Sequence, residues 1–224
     1  MNSFIRKHLM RLAKGRLVGL LPKHQKIRFF LYKKMLGLDD FVRIHTNVVI
    51  RPHHKVSSDF KKINKYGLKI GKNCLLESNV DLDTTGNLII GNDVDVVIDS
   101  VIYTHTHEFI YENNVKKNLV IPKTLKIDDG AFIGARVIIV GCSHIGRMAN
   151  IGAGAVVRSN VPPYAMVIGN PAKIVGFLYT PEEVAEFEKD RYPENERTNI
   201  EQYSKQYDKY FINRISEIKK ILSN

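Results

Sequence analysis

IDDGAFIGARVIIVGCSHIGRMANIGAGAVV, residues 127–157, decides the fold. An aliphatic residue returns at every sixth position: Ile127, Ile133, Ile139, Ile145, Ile151 and Val157. Four places after each stands a small or β-branched residue: Ala131, Val137, Ser143, Ala149, Ala155 and Val161. Neither a 3.6-residue helix nor a strand of period two produces this spacing. A period of six has its own physical account. Each hexapeptide makes one short strand and one bend, and three of them close a triangular coil of about 18 residues. Stacked coils share parallel-strand hydrogen bonds ~4.8 Å apart. The aliphatic residue fills the narrow interior, and the second inward position lies near a corner where only compact side chains fit. Gly134, Gly146 and Gly152 directly follow the aliphatic residue, where they relieve crowding at the bend.

The same frame runs upstream. Ile70, Leu76 and Leu82 form one set, with Cys74, Val80 and Gly86 four places on. Ile90, Val96 and Ile102 form another, with Val94, Ser100 and Thr106. Ile44 and Ile50, with Val48, make a weaker first turn. The frame slips by two residues between Leu82 and Ile90 and breaks over residues 108–126. A lone coil cannot bury its own core, so the stack needs caps. After Pro171 the repeat ends, and Thr180-Pro181-Glu182-Glu183 reads as a helix start with Thr180 as N-cap and Glu183 completing a capping box. A second helix is expected near Thr198, with an apolar stripe of Ile200, Tyr203, Tyr207, Phe211, Ile215, Ile218 and Leu222. The expected organisation is a basic helical segment over 1–40, a β-helix over 41–178 with a loop inserted at 108–126, and C-terminal helices over 179–224.

The chain has 224 residues, 44% hydrophobic and 25% charged, which fits a soluble globular protein. No segment approaches the roughly 18 apolar residues of a membrane span, and Leu17–Leu21 is too short for a signal peptide. The expected compartment is the cytoplasm. Cys74 and Cys142 make no disulfide framework, and both fall inside repeats, where small buried thiols are expected. The net charge of +11 is concentrated in residues 1–38, which hold ten Lys/Arg and no Asp/Glu. There Phe4, Ile5, Leu9 and Leu12 alternate with Arg6, Lys7, Arg11 and Lys14. This is either a helix with a solvated basic face or a membrane-peripheral patch, residues 1–36, that meets anionic lipid. Nucleic acid is not an expected partner.

Residues 66–176 resemble the hexapeptide-repeat acetyltransferases, especially the maltose/galactoside and polysaccharide O-acetyltransferase group. The I-G-A-G-A-V-V run and the G-N-P-A-K motif, Gly169–Lys173, are the specific elements, together with IGNDVDVVIDSVIYTHTHEF at 90–109. The resemblance implies a mainly β, left-handed parallel β-helix with N-terminal and C-terminal helices. It further implies a homotrimer with the site in the cleft between subunits, and acetyl-CoA as co-substrate. His107 takes the place of the catalytic histidine. Phe132 stands where the family usually has Trp at the pantetheine groove. Ala135 and Ala153 match positions whose backbone groups contact CoA, and Arg158 and Lys173 fall near its phosphates. Glu77, Asp83, Thr85 and Glu108 are the candidate acceptor-binding residues. Glu77 and Thr85 differ in type from the polar sugar-binding residues of the galactoside enzymes. The first 60 residues also do not look like the helical substrate domain of those enzymes.

The chemistry suits these residues. A hydroxyl is a poor nucleophile until a base takes its proton, and histidine has a suitable pKa. No Ser-His-Asp or Cys-His arrangement is present to form a covalent intermediate. Glu108 is placed either to orient the imidazole or to stand exposed in the loop, and the loop is expected to wall the acceptor site or to decorate the surface. The expected activity is O-acetylation of a sugar hydroxyl on a capsule, lipopolysaccharide or oligosaccharide unit. N-acetylation of an amino-sugar nucleotide is the nearest alternative. A γ-carbonic-anhydrase-like zinc enzyme would use His105, His107 and His144. The chain lacks that family's closely spaced histidine pair, because none follows His107 until His144, and no metal is expected.

Overall fold

The computed structural model describes residues 30–34, 37–38, 41–51, 67–112, 115–141 and 144–222. The readings made on residues 1–29, on Cys142 and on Ser143 lie outside these. The first coil is β1 (Arg43–Ile44), β2 (Val49–Arg51) and β3 (Leu68–Ile70). The second is β4 (Leu75–Leu76), β5 (Asp81–Asp83) and β6 (Asn87–Ile90). The third opens with β7 (Asp95–Val96) and β8 (Val101–Ile102). It then leaves the stack as β9 (His105–Glu112) and β10 (Val115–Pro122), and closes with β11 (Thr124–Ile127). The fourth is β12 (Phe132–Ile133), β13 (Ile138–Ile139) and β14 (His144–Ile145). The fifth is β15 (Asn150–Ile151), β16 (Val156–Val157) and a single bridge at Val161. Strands β17 (Ala165–Ile168) and β18 (Lys173–Phe177) end the stack as an antiparallel pair.

Three faces result. Face A stacks β1, β4, β7, β12, β15 and β17; face B stacks β2, β5, β8, β13 and β16; face C stacks β3, β6, β11 and β14. The six-residue row therefore resolves into three parallel ladders. Ile133 lies between Val96 and Ile151, Ile139 between Ile102 and Val157, and Ile127 between Ile90 and Ile145. All of these are buried in one continuous core. Cys74 is buried as expected, and burial pushes its thiol pKa up. The residue before most compact inward positions sits in the left-handed region, as at Asn73, Asn79, Asp93 and Asp99. Asn, Asp and Gly tolerate that conformation best. Here they also form rungs: Asn73 donates to Asp93 Oδ1 at 3.1 Å, and Asn79 to Asp99 Oδ1 at 2.9 Å. Coil stacking excludes a side chain at Gly134, where a Cβ would lie 2.7 Å from the Ile151 carbonyl oxygen.

The slip after Leu82 lengthens a face rather than breaking a coil. β6 has four residues, and both Leu88 and Ile90 point inward; β11 repeats this with Leu125 and Ile127. Two expectations need correction. The inserted loop expected over 108–126 is an antiparallel hairpin, β9–β10, that starts at His105 and ends at Pro122, and Thr124–Lys126 already belong to face C. The alternating β-formers of its two arms pair along their whole length, and Phe109 and Tyr111 project into solvent. Thr106 is not inward either. Thr104 closes the interior at 1% exposure, because Asp83 binds it there, and the chain has left the stack by Thr106.

At the start of the stack Tyr32 is buried, its hydroxyl 3.4 Å from the Val48 carbonyl. At the far end α1 (Pro181–Lys189) begins as expected, with both bonds of the Thr180–Glu183 capping box formed. The next helix, α2 (Ile200–Leu222), is capped by Asn199, which accepts from the Gln202 N–H at 2.9 Å. Thr198 instead gives its N–H and hydroxyl to the buried Glu188. Tyr203 leads the stripe of α2 into a second cluster with Tyr164 and Val184. Among the described residues no helix is long and apolar enough to cross a membrane.

Candidate functional site

The hairpin springs from the corner between faces B and C, and a buried polar knot holds its base. Asp83 Oδ2 accepts from the Thr104 N–H at 2.9 Å, from the Thr104 hydroxyl at 2.9 Å and lies 2.7 Å from His105 Nδ1. Its other oxygen accepts from the Thr85 hydroxyl at 2.5 Å and N–H at 3.2 Å. Burial pushes the Asp83 carboxyl pKa up, but the bonds from Thr85, His105 and Thr104 outweigh it and hold the group below the usual carboxylate range. Asp83 and Thr85 were expected to touch an acceptor. They are 1% and 0% exposed and spend their polar atoms on one another and on the hairpin base. They are supports rather than lining.

His107 stands two residues further out and is exposed. Its ring meets the His105 ring edge-on at 5.1 Å, and its Nδ1 lies 2.8 Å from Asn118 Oδ1. The amide oxygen accepts, so Nδ1 carries the proton, and in the neutral ring Nε2 holds the lone pair. Sequence reading missed Asn118. The register pairs Phe109 with Asn118 and His107 with Val120, so Asn118 is the diagonal cross-strand neighbour of His107. A symmetric hairpin centred on the Asn-Asn of YENNVK would have pointed to it. Glu108 does not orient the imidazole. Successive strand residues face opposite sides, so it points away from His107, and it is exposed. Glu77 lies at a different corner, between faces A and B, where its carboxylate accepts from the Ile98 N–H at 3.1 Å.

The residues assigned to CoA climb that A–B edge. Phe132 is 41% exposed on face A. Ala135 and Ala153 occupy the A–B corners of successive coils, joined by the Gly154 N–H to the Ala135 carbonyl at 2.8 Å. Neither alanine N–H meets an acceptor among the described residues. Lys173 follows Ala172, whose N–H bonds the Val156 carbonyl two residues before Arg158, so the two exposed cations lie at the same end of the stack. An apolar wall, unspent backbone donors and exposed cations at one end suit a thiol arm with a phosphorylated tail. Face B separates this edge from His107 within one protomer.

Among the described residues no three His, Cys, Asp or Glu side chains form a group that could hold a metal ion. His105 and His144 are engaged by different aspartates, Asp83 and Asp128.

No protein-family model matches the chain. Among solved structures it is similar to a hexapeptide-repeat acetyltransferase of Vibrio cholerae complexed with acetyl coenzyme A. The TM-score is 0.57 at 22% identity, over 79% of this chain and 88% of that one. It is also similar to a maltose O-acetyltransferase of Clostridium difficile, with TM-score 0.53 at 18% identity over 80% and 90% of the two chains. Among curated proteins it is 32% identical over 123 residues to the serine acetyltransferase of Escherichia coli K12, covering 55% of this chain and 41% of that enzyme. A 52-residue stretch is 46% identical to a dTDP-3-amino-3,6-dideoxy-alpha-D-galactopyranose 3-N-acetyltransferase of Aneurinibacillus thermoaerophilus, covering 23% of this chain and 27% of that enzyme. The chain spans less than half the length of the curated relatives it matches.

Proposed function

We infer that this chain, whose left-handed hexapeptide-repeat coil is the fold of the acetyltransferases, transfers the acetyl group of acetyl-CoA to a sugar hydroxyl. The observation that carries the reading is the Nδ1 bond of His107 to Asn118, which presents Nε2 as a base on an exposed hairpin. His107 takes the hydroxyl proton as that oxygen attacks the acetyl carbonyl, and returns it to the departing thiolate. A backbone N–H of the Ala135 or Ala153 corner is suited to the developing oxyanion. When bound, acetyl-CoA supplies only the activated acyl group. Phe132, Ala135 and Ala153 would hold its arm, and Arg158 and Lys173 its phosphates.

Because face B separates His107 from the CoA edge, the reading requires a neighbouring copy. A homotrimer with threefold symmetry would bring the hairpin of one subunit to the A–B edge of the next, so that each site draws on two chains. The acceptor we favour is a capsule, lipopolysaccharide or oligosaccharide unit handled in the cytoplasm. The ten cations of residues 1–38 support a peripheral membrane position. Salt-sensitive co-sedimentation with anionic but not neutral vesicles tests that part. The decisive experiment for the reaction follows release of free CoA with a panel of sugar acceptors. Turnover with hydroxyl sugars that His107→Ala abolishes supports the reading, and no turnover with any of them sinks it. A second reading, N-acetylation of an amino-sugar nucleotide, is favoured by the 46% identical stretch shared with the 3-N-acetyltransferase. Amine acceptors in the same panel separate the two.

A further inference from the structure

A groove of about 670 Å³ lies between face C and the C-terminal segment that opens α2. This is within the size range of sites that enclose a ligand of several rings. It is not part of the site described above. Its floor is Lys126 on β11, Asp128 just after that strand and His144 on β14, and its far wall is Gln202 and Gln206. The two glutamines are four residues apart on α2 and so share one helix face.

The cations in the groove are already engaged. Asp128 holds Lys126 at 2.8 Å with one oxygen and His144 Nε2 at 2.6 Å with the other. Burial pushes the Asp128 carboxyl pKa up, but His144 and Lys126 outweigh it and hold it low. Arg147 is committed to Glu188 at 2.7 Å. Arg197 bonds the Tyr192 and Lys189 carbonyls, both at 2.9 Å. Glu196 adds an exposed carboxylate with no cation paired to it among the described residues. Asp129, whose carboxylate accepts only from Asn92 among the described residues, is a second, so an anionic ligand meets no uncommitted lysine and two repelling carboxylates.

The amides are what remains. The side chains of Asn195, Gln202 and Gln206 make no hydrogen bond within the described residues, and each offers both donors and an acceptor. Ile89, Pro162 and Pro163 supply apolar surface in the same lining. Amides that pair with neutral hydroxyls, beside rings that cover C–H faces, match an uncharged sugar. The groove is on the same subunit as His107, and its floor residue Lys126 follows the hairpin base at Pro122 by four residues, at most about 13 Å of extended chain.

We propose that the groove between face C and α2 is a carbohydrate-binding site that holds neutral sugar units of an acceptor chain away from the reacting hydroxyl. This rests on the sugar-acceptor reading. It adds that longer acceptors bind through a second contact on the same subunit that carries the base.

The test is saturation-transfer difference NMR on the full chain without CoA. Maltotriose serves as the neutral probe and a glucuronate-containing hyaluronan tetrasaccharide as the anionic one. The expected result is a maltotriose signal that persists in His107→Ala and falls roughly tenfold in Gln202→Ala/Gln206→Ala, the loss of two ligand hydrogen bonds. The anionic probe should give the weaker signal. Both glutamines are replaced by a better helix former, so the double variant should fold, which circular dichroism checks. The proposal is overturned if maltotriose gives no signal, if the double variant leaves it intact, or if the anionic probe binds better. CoA release with a monosaccharide acceptor, which does not reach from His107 to the groove, reports on the sugar-acceptor reading alone.

Discussion

Asn118 Oδ1 lies 2.8 Å from His107 Nδ1 across the hairpin, and a proton on Nδ1 for that bond leaves the lone pair of the neutral ring on Nε2. His107→Ala should lower acetyl transfer by about 10²–10⁴-fold with the fold intact. Asn118→Ala should cost roughly 10–100-fold, the worth of one hydrogen bond to a developing imidazolium. Asn118→Asp gives the sharper reading. A carboxylate beside the ring favours its protonated form, so the acid limb of the kcat/KM profile should move to higher pH. An unmoved limb in Asn118→Asp would remove Asn118 from the mechanism.

Asp83 and His105 should be energetically coupled. Asp83→Asn turns an amide N–H₂ toward groups that already donate, and losing hydrogen bonds to a buried charged group costs about 1.5–3 kcal/mol. His105→Gln should be costly too, but the double variant should lose less than the two losses added, with a coupling above about 1 kcal/mol. Additive losses in urea unfolding would mean that the two side chains stabilise the hairpin base independently.

The repeat was legible because its cause is local. Ile127, Ile133 and Ile139 each point into the interior from one face of a coil, so every sixth residue answers the same steric demand. The cap at Thr180 was legible for the same reason, since both of its bonds close within four residues. What was missed depends on partners far apart in sequence. Asp83 looked like an acceptor ligand because nothing local shows that Thr104 and His105 return to it some twenty residues later. Asn118 acquires meaning only through the hairpin register. The second helix was expected near Thr198, but Glu188 takes the hydroxyl and N–H of that residue and Asn199 caps the helix.

Arg158 and Lys173 should act on CoA binding and not on chemistry. Lys173→Ala and Arg158→Ala should each raise the KM for acetyl-CoA with kcat nearly unchanged, the pattern of lost uniform binding. Because both cations lie at the same end of the stack, the effect should shrink with dephospho-CoA thioesters. Unchanged KM values in both variants would place the nucleotide elsewhere.

The separation of His107 from the A–B edge predicts assembly. Light scattering should give about three times the 25.6 kDa of one chain. Mixing inactive His107→Ala with a variant damaged at Phe132, Arg158 and Lys173 should restore activity. In mixed trimers some interfaces pair an intact base with an intact CoA edge. A fully active monomer at assay dilution would rule out a shared site.

Glu188 predicts how stability depends on pH. It is 1% exposed and binds Arg147, the Tyr164 hydroxyl and Thr198, which ties α1 and the start of α2 to the last coils. Burial pushes its carboxyl pKa up, but Tyr164, Thr198 and Arg147 outweigh this and hold it below the usual value. Burial and the same carboxylate push the Tyr164 pKa up, so its hydroxyl stays a donor throughout the working range. A depressed carboxyl means that the unfolded chain binds the proton first on acidification. The stabilisation is therefore complete above the unfolded value near 4.3 and is lost as pH falls through the lower folded value. Glu188→Gln keeps the shape and removes the charge, which strands Arg147 and should cost about 3–5 kcal/mol at pH 7. The gap between wild type and variant should hold from pH 7 to 5 and narrow below about pH 4. Urea unfolding at fixed protomer concentration, stepped from pH 7 to 3, measures it. Parallel stability curves for the two proteins across that range would show that Glu188 is not the group whose ionisation holds the C-terminal cap in place.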